Sequence, residues 1–427
     1  MAESKPRSVL LIAYHYPPCA MSSGVQRSLS FSLNLPRHGW RPVVLTVDPA
    51  SYERTSPEQL KSIPAELPVA RTFALDAAKH LAIKGRYWSR AALPDRWRGW
   101  WLSAVPRGLR LLREHRIDAI WSTYPIATAH SVAGTLARLS GLPWIADFRD
   151  PMVETVAETG EVFPQDPALR EARLRIEKKT VARATALVFC TSSARQIVQE
   201  RYANARSKTL EVISNGYDEQ AFVDAESVTR PATPQSRRVL LHSGTIYPGP
   251  DRDPTALFHA IRRLAAAKLL SRDDFELRLR HPSNEEYFGK LAAEAGVQEL
   301  VTILPPLPYR EALAEMMAVD GLLLLQGYPS NPAIPAKLYE YLRARRPIVA
   351  LAHPAGETAA VLRQLAIRTV ADLPDVDGIE GVLRQWLTAS AQLESELPPR
   401  EKVATYSRQG QAARLAQLLD GLSAGKA

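Results

Sequence analysis

Short apolar runs and longer helical stretches alternate along almost the whole chain, and this alternation constrains the fold more than any other feature. The first apolar run covers Val9–Ala13, and a helical pattern follows over Val25–Pro36. Strands that alternate with helices are typical of parallel sheets, because a parallel connection has to cross back over the sheet. The pattern occurs twice. We therefore predict an α/β fold of two Rossmann-like parallel-sheet domains that face each other across a cleft.

A polar stretch rich in proline, serine and threonine separates the two halves and is the natural linker, at residues 224–238. This division predicts an N-terminal domain of residues 1–223 and a C-terminal domain of residues 239–399. We expect the last helical stretch, residues 400–427, to pack back on the first domain. Doubly wound domains bind ligands beyond the carboxyl ends of their strands, so the loops at those ends should carry the chemistry.

The composition is that of an ordinary soluble protein, with 46% hydrophobic and 23% charged residues among 427. The two cysteines, Cys19 and Cys190, form no metal-binding or redox pattern, so we expect a cytoplasmic protein without a metal site. The first apolar run is too short for a signal peptide or a membrane span. The net charge of +9 favours anionic partners such as nucleotide phosphates, anionic lipids or nucleic acids, without choosing among them.

The segment from Ile334 to Leu351 combines a short helical pattern with a β-branched, apolar run. Pro335 suits the first position of a helix, and Pro347 ends the pattern. Glu340 is then predicted in the first turn, where free backbone N–H groups and the helix dipole stabilise a carboxylate. Such a carboxylate can accept hydrogen bonds from the vicinal hydroxyls of a ribose. An ordinary amphipathic helix with one solvated glutamate is the alternative.

The loop after the first predicted strand ends in small residues at Gly24. A glycine at the start of a helix lets the backbone approach a ligand closely, and free N–H groups there favour an anion or a hydroxyl. The loop lacks the G-x-G-x-x-G pattern, so a bound dinucleotide is poorly supported. A glycine that only begins the helix is the alternative.

Several short motifs together resemble the retaining glycosyltransferases of family 4. They are Leu10–Pro18, Gly24–Arg27, His38–Thr46 and Asp147–Pro151 in the first half, and Ile213–Asp218, His242–Thr245 and Lys337–Leu342 in the second. Each motif is short, but their order and spacing extend over most of the chain. The resemblance implies the GT-B fold and a nucleoside-diphosphate sugar as donor, and it does not fix the sugar.

The resemblance also implies roles for residues of the second half. It implies that Gly244 lets the donor diphosphate approach its loop, that Arg252 contacts the diphosphate and that Glu340 contacts the ribose. The lysine that usually follows the arginine is missing, and Lys337 is the candidate substitute. The alternative for Arg252 is a surface ion pair with a neighbouring aspartate.

Pro332 stands where the family has the first of two glutamates, the one that contacts the donor sugar. Backbone N–H groups of Ala333 and Ile334 are the predicted replacement. Gly24 and Asn215, which lie in the matching motifs, complete the predicted donor-binding residues.

Four residues are predicted to be catalytic. His130 resembles a family histidine near the reacting sugar, and its titration near neutrality allows it to donate or accept a hydrogen bond. A core or helix-surface histidine is the alternative. Asp147, Arg149 and Asp150 follow an apolar run at a predicted strand end, where charged residues tend to face a cleft. A structural ion pair between Arg149 and its two neighbours is the alternative.

The segment of residues 79–116 interleaves basic residues with Trp88, Trp97, Trp100 and Trp101 and contains few acids. Basic residues attract anionic head groups and tryptophans favour the lipid–water boundary, so the segment suits an anionic membrane surface. Packing inside the domain and binding of single-stranded nucleic acid are the alternatives. The sequence contains no recognised nucleic-acid motif, and we expect no nucleic-acid partner.

We therefore expect a glycosyltransferase that moves a sugar from a nucleoside-diphosphate donor to a hydroxyl of a polysaccharide or lipid-linked acceptor. The resemblance implies retention of the anomeric configuration and a role in cell-surface polysaccharide or glycolipid synthesis. We expect no cofactor other than the nucleotide-sugar co-substrate. A nucleotide-sugar epimerase or hydrolase of the same fold, and a catalytically silent sugar-nucleotide-binding module, are the alternatives.

Overall fold

Two parallel sheets, each with its own helices, organise the chain into two units. The computed structural model describes residues 7–20, 24–82, 84, 86, 88–228 and 237–424. One unit comprises residues 1–215 with 408–427, and the other comprises residues 216–407. The predicted boundary at residue 223 thus falls inside the second unit. Residues 229–236 of the predicted linker lie outside the described residues.

The first unit is built on a parallel sheet of seven strands. The strands of this unit are β1 (Arg7–Ile12), β2 (Trp40–Val47), β3 (Val69–Thr72), β4 (Ala119–Thr123), β5 (Trp144–Arg149), β6 (Glu154–Thr155), β7 (Val162–Phe163), β8 (Ala186–Phe189) and β9 (Thr209–Val212). Their order in the sheet is β3-β2-β1-β4-β5-β8-β9, and β6 pairs with β7 in a separate antiparallel hairpin. All side chains of β4 and β8 are buried, because helices cover both faces of the sheet.

Helices connect these strands, as parallel pairing requires. They are α1 (Gly24–Asn34), α2 (Ala77–His80), α3 (Trp101–Glu114), α4 (Ala127–Ser140), α5 (Pro167–Arg183) and α6 (Ser192–Arg201). The side chains of Asp166 and Thr191 cap α5 and α6 by accepting hydrogen bonds from the amides of Ala168 and Ala194.

The second unit has a parallel sheet of six strands. They are β10 (Arg238–Ser243), β11 (Phe275–Arg280), β12 (Val301–Leu304), β13 (Gly321–Gln326), β14 (Ile348–Ala352) and β15 (Val370–Ala371). Their order is β12-β11-β10-β13-β14-β15. The helices of this unit are α7 (Glu219–Glu226), α8 (Thr255–Ala266), α9 (Glu285–Glu294), α10 (Tyr309–Ala318), α11 (Ala336–Ala344), α12 (Glu357–Gln364), α13 (Val376–Thr388), α14 (Ser390–Ser395) and α15 (Arg400–Ala404).

The last helix, α16 (Arg408–Ala424), belongs to the first unit. Its buried residues, among them Leu415 and Leu419, share a core cluster with Trp40. Asp420 accepts a hydrogen bond from the Trp40 indole at 2.9 Å and also pairs with Arg7. The C-terminal end of the described chain therefore completes the core that the first two strands begin.

The predicted α/β fold with two parallel sheets is confirmed. The strand order reverses between β1 and β4 in the first sheet and between β10 and β13 in the second. Ligands of doubly wound sheets bind at such reversal points, beyond the carboxyl ends of the strands. Among the described residues, no helix is long and apolar enough to cross a membrane, and no cluster of His, Cys, Asp and Glu suits a metal ion.

Candidate functional site

Gly244 follows β10 at the reversal point of the second sheet. Its φ of 102° lies in the region that favours glycine, and its amide donates to the Arg280 carbonyl at 2.9 Å. A β-carbon at this position would lie 3.6 Å from Lys337 Nζ. The bare backbone and the lysine therefore lie side by side at the start of α11.

Lys337 donates a hydrogen bond to His242 Nε2 at 2.9 Å. The other ring nitrogen of His242, Nδ1, lies 3.1 Å from the Leu323 carbonyl, which can only accept, so Nδ1 carries the proton and Nε2 is the acceptor. Burial, reinforced by Lys337 and Arg252, holds the pKa of His242 well below its usual value. Burial first and Arg252 second lower the pKa of Lys337 to about 7. The hydrogen-bond partner of Lys337 Nζ in the described part of the chain is therefore a neutral imidazole, and an anionic ligand beside Nζ would favour its charged form.

Arg252 lies in the loop that follows Gly244. Its Nη1 donates to the Thr245 carbonyl at 2.8 Å, and its guanidinium lies 5.1 Å from the centre of the Tyr247 ring. Nε lies 3.4 Å from Asp251, which is the ion pair expected as the alternative. The charge of Arg252 is the second cause, after burial, of the lowered pKa of Lys337.

Glu340 lies on the same helix as Lys337, one turn further along. Helix α11 begins at Ala336 and has no acidic residue in its first turn, so the predicted place of Glu340 beside free N–H groups is wrong. Its carboxylate is instead held by a side chain, because Tyr309 Oη donates to Glu340 Oε1 at 2.8 Å. Next to it on α11, the hydroxyl of Tyr341 accepts a hydrogen bond from the Ser243 amide at 3.0 Å and ties the helix to the end of β10.

The loop before α11 is shaped by Gln326 at the end of β13. The Gln326 side chain is 4% exposed and donates to the carbonyls of Ser330 and Ala333, the latter at 2.9 Å. The Ala333 amide donates to the Ser330 carbonyl at 2.9 Å, so it is already occupied and does not fit the predicted contact with a donor sugar. Ile334 is half-buried against the core of this unit and remains a predicted contact.

Asn215 belongs to the first unit, unlike the other predicted donor-binding residues of the C-terminal half. Its Oδ1 lies 3.8 Å from Cys190 Sγ, a weak donor. The neighbouring Ser214 carbonyl accepts from Arg27 at 3.0 Å. The structure thus places Asn215 beside the carboxyl end of β8 in the first unit.

A buried ion pair joins α1 to β5 in the first unit. Arg27 donates to both carboxylate oxygens of Asp147, with Nε–Oδ2 and Nη2–Oδ1 distances of 2.7 and 3.2 Å. The side chain of Asp147 is 0% exposed. Both of its oxygens are used inside the protein, which argues against the predicted catalytic role. Arg27 was absent from the predicted site, although it lies in the same motif as Gly24.

Arg149 lies beyond the ion pair, at the end of β5. Its φ is 60°, the strand register shifts between Asp147 and Arg149, and Arg149 lines a pocket. His15, Gly24 and Tyr124, which follow β1 and β4, line the same pocket. The structure therefore brings predicted Gly24 and Arg149 together at the reversal point of the first sheet. Among the described residues, Arg149 Nε and His15 Nδ1 are buried without a hydrogen-bond partner.

Three groups of the first unit, His15, Asp150 and Glu154, have shifted pKa values. Burial, followed by the charge of Arg149, lowers the pKa of His15 to about 4, so its ring is neutral at pH 7. Burial raises the pKa of Asp150. Burial and then Asp150 raise the pKa of Glu154, on β6, to about 7. His15 and Glu154 were not among the predicted site residues. His15 carries a sequence signal, because it lies in the first motif, directly before Tyr-Pro-Pro.

His130 lies on α4 and is 1% exposed. Its Nδ1 shares a hydrogen bond of 2.8 Å with Ser122 Oγ, and its ring contacts those of Trp144 and Phe148. Burial lowers its pKa to about 3. These surroundings are those of the alternative, a core histidine, and they argue against the predicted contact with the donor sugar.

The tryptophans of residues 79–116 divide between core and surface. Trp100 is fully buried, and Trp97 packs against the ring of Tyr14. Trp88 and Trp101 are 70% and 38% exposed. Trp97 and Trp100 therefore follow the packing alternative. Of these four tryptophans, Trp88 and Trp101 are the two exposed enough to contact a membrane surface.

Comparison with known proteins gives the class. Residues 24–216 match the family model of the glycosyl transferase 4-like domain. This match spans most of the first unit, and together with the fold of two parallel sheets it supports a transferase. No curated protein sequence matches the chain.

Solved structures of similar fold cover nearly the whole chain. Sucrose-phosphate synthase from Thermosynechococcus elongatus is 15% identical, with a TM-score of 0.62 over 98% of this chain and 100% of that one. HepE from Anabaena in complex with UDP is 13% identical, with a TM-score of 0.64 over 97% and 100%. WaaG, a glycosyltransferase involved in lipopolysaccharide biosynthesis, is 15% identical, with a TM-score of 0.59 over 97% and 100%. At these identities the likeness establishes the fold.

Proposed function

We propose that the protein transfers a sugar from a nucleoside-diphosphate donor to an acceptor hydroxyl, with retention of the anomeric configuration. The observation that carries this proposal is the group at the end of β10, where Gly244, Lys337 and Glu340 meet. A glycine backbone beside a buried ammonium suits a diphosphate, and the carboxylate one turn away suits vicinal hydroxyls. HepE has been crystallised with UDP and with UDP-glucose, which supports a donor of this class.

The reaction breaks the bond between the anomeric carbon and a phosphate oxygen and forms one to the acceptor oxygen. Lys337 and Arg252 stabilise the negative charge that develops on the departing diphosphate. The proton of the acceptor hydroxyl passes to that diphosphate, so no protein base is consumed. Glu340 holds the ribose, and this contact fixes where the diphosphate lies.

The first unit supplies the acceptor side. The pocket of His15, Tyr124 and Arg149 contains a neutral imidazole and a guanidinium, each with a nitrogen that lacks a partner among the described residues. A hydroxyl can accept from the guanidinium and, with the imidazole in the appropriate tautomer, donate to it. This complementarity favours a sugar hydroxyl, in keeping with a polysaccharide or glycolipid acceptor.

We propose that the protein binds an anionic membrane surface and reaches its acceptor there. Phe73, Leu81, Trp88 and Leu102, here named the exposed apolar face, are 56%, 44%, 70% and 66% exposed. The Phe73 ring contacts His80, which precedes Leu81, and Ser103, which follows Leu102, donates to the Phe73 carbonyl. Helix α2 packs against the turn Ser89–Ala92, which directly follows Trp88. Basic side chains surround these residues in the sequence, and large apolar side chains beside cations suit an interface with anionic lipid.

Binding and turnover test the proposal. Thermal-shift measurements with UDP, GDP, CDP and dTDP should show one nucleotide that raises the unfolding temperature. Consumption of the matching nucleotide sugar only in the presence of an acceptor would support transfer. Consumption without acceptor would indicate a hydrolase or an epimerase, and binding without consumption would indicate a silent module, a role that Pro332 and the occupied Ala333 amide leave open.

A further inference from the structure

Tyr309 is a half-exposed aromatic residue whose side chain is restrained by a hydrogen bond. It is the first residue of α10 and is 49% exposed. Its hydroxyl donates to Glu340 Oε1 at 2.8 Å. Pro305, Pro306 and Pro308 precede it, and prolines restrict the backbone that carries the ring. Because its backbone is restricted by the prolines and its hydroxyl is hydrogen-bonded, the half-exposed ring of Tyr309 offers a flat, ordered surface to a ligand.

The order of the neighbouring groups matches the order of the parts of a nucleotide. Lys337 lies beside Gly244, Glu340 follows on the same helix, and Tyr309 contacts Glu340. Residues three apart on a helix share one face and are separated by about 4.5 Å along its axis. In a nucleoside diphosphate the phosphates, the ribose and the base succeed one another at similar intervals. A molecule with its diphosphate at Lys337 and its ribose at Glu340 would therefore extend its base toward Tyr309.

We propose that the ring of Tyr309 is the surface on which the base of the nucleoside diphosphate stacks, while its hydroxyl orients Glu340. The inference rests on the proposed function, because it assumes that Glu340 holds the ribose. Aromatic rings stack on every base, so Tyr309 supplies affinity for a nucleotide as a class rather than for one base. Any discrimination among bases comes from other groups.

Two substitutions separate stacking from orientation. Tyr309→Phe keeps the ring and removes the hydrogen bond to Glu340, whereas Tyr309→Ala removes both. Isothermal titration calorimetry with UDP and with inorganic pyrophosphate measures the two variants against wild type. Tyr287→Ala is the matched control, since Tyr287 is 38% exposed on α9 of the same unit.

We expect Tyr309→Ala to weaken UDP binding by about tenfold or more, the usual effect of removing an aromatic stacking partner. Pyrophosphate binding should be unchanged, and Tyr309→Phe should stay within about threefold of wild type for UDP. An alanine variant that binds UDP like wild type would overturn the inference alone. A phenylalanine variant as weak as the alanine variant would also overturn it, because only the hydrogen bond would then matter. A wild-type protein that binds none of the four nucleoside diphosphates would overturn the proposed function as well.

Discussion

Arg27 and Asp147 form a two-pronged ion pair across the first unit, although 120 positions separate them in the sequence. The pair links the start of α1, where the predicted ligand-binding Gly24 lies, to the end of β5, where Arg149 lies. Arg27 Nη1 also donates to the carbonyl of Ser214, near the end of residues 1–215 of the first unit. Arg27 therefore connects three segments of this unit. We therefore infer that the ion pair holds α1 and β5 in place around the pocket lined by Gly24 and Arg149, and that it does not take part in the reaction.

Asp147→Asn should destabilise the protein strongly. The variant leaves the guanidinium of Arg27 buried without a compensating charge, which costs about 3–5 kcal/mol. Urea unfolding followed by circular dichroism measures the free energy of unfolding. Glu114→Gln, which breaks the exposed pair of Arg107 and Glu114, is the control and should change it by less than about 1 kcal/mol. Equal effects of the two substitutions would contradict the structural role of Asp147.

Glu340→Ala should weaken the binding of the preferred nucleotide by about 1–3 kcal/mol, because a charged hydrogen-bond acceptor is lost. The fold should survive, since Glu340 is not fully buried. Calorimetry checks the affinity, with Glu286→Ala on the exposed face of α9 as the control. Unchanged affinity in Glu340→Ala would remove Glu340 as the ribose contact.

The pKa of Lys337 predicts a pH dependence of nucleotide binding. Burial and Arg252 lower this pKa from 10.5 to about 7, so the free protein loses the ammonium charge as the pH rises through 7. A diphosphate binds the charged form, so its affinity should fall above pH 7, by up to about tenfold per pH unit, and should level off above the pKa of the complex.

Lys337→Met should abolish most of this slope, whereas Lys290→Met on α9 should leave it unchanged. Calorimetry between pH 6.5 and 9 measures the slope in each variant. The same shift affects stability, because the unfolded chain holds the lysine proton up to pH 10.5. The contribution of Lys337 to the free energy of unfolding should therefore rise between pH 7 and 10.5. A wild-type slope in Lys337→Met would assign the dependence to another group.

His130→Ala should lower stability and leave nucleotide affinity intact. The substitution removes a buried ring that contacts Trp144 and Phe148, at a cost of about 2–4 kcal/mol. Urea unfolding and UDP titration of the same preparation distinguish this result from a role at the reacting sugar. A stable variant with wild-type unfolding and lost turnover would restore the predicted catalytic role.

The exposed apolar face should be required for binding to anionic vesicles. Trp88→Ala with Leu102→Ala should reduce co-sedimentation with vesicles that contain phosphatidylglycerol, most clearly at high salt, where apolar insertion dominates. The doubly substituted protein should stay folded, because both side chains are exposed. Trp100→Ala is the contrasting variant and should unfold the first unit, since Trp100 is fully buried. Vesicle binding that survives the double substitution would contradict the proposed surface.

Periodicity and turn residues predicted most of the fold because they report local structure. The strand predicted at Val9–Ala13 is β1, Arg7–Ile12, and the helix predicted to begin at Pro335 begins at Ala336. Strand β3, Val-Ala-Arg-Thr, was missed because it is short, partly polar and only half-buried. The β6–β7 hairpin has strands of two residues, which leave no periodic signal.

The sequence predicted the positions of candidate-site residues that lie in motifs after strands. It did not predict contacts between side chains that are far apart in the sequence. Gly244, Lys337 and Glu340 lie near β10 or on α11, and the motifs place them there. The partners of these residues, such as Tyr309, come from elements remote in sequence. The burial of His130 depends on which face of α4 meets the sheet, and spacing along one helix does not specify that.

The return of α16 to the first unit has a consequence for synthesis. The ribosome makes β1 and β2 first, and their apolar face, including Trp40 and Val44, receives Leu415 and Leu419 only after the whole second unit has been made. The hydrophobic surface of the first unit that α16 covers is therefore exposed throughout the translation of residues 216–407, and exposed hydrophobic surface promotes aggregation. A protein that ends before α16 would keep that surface permanently.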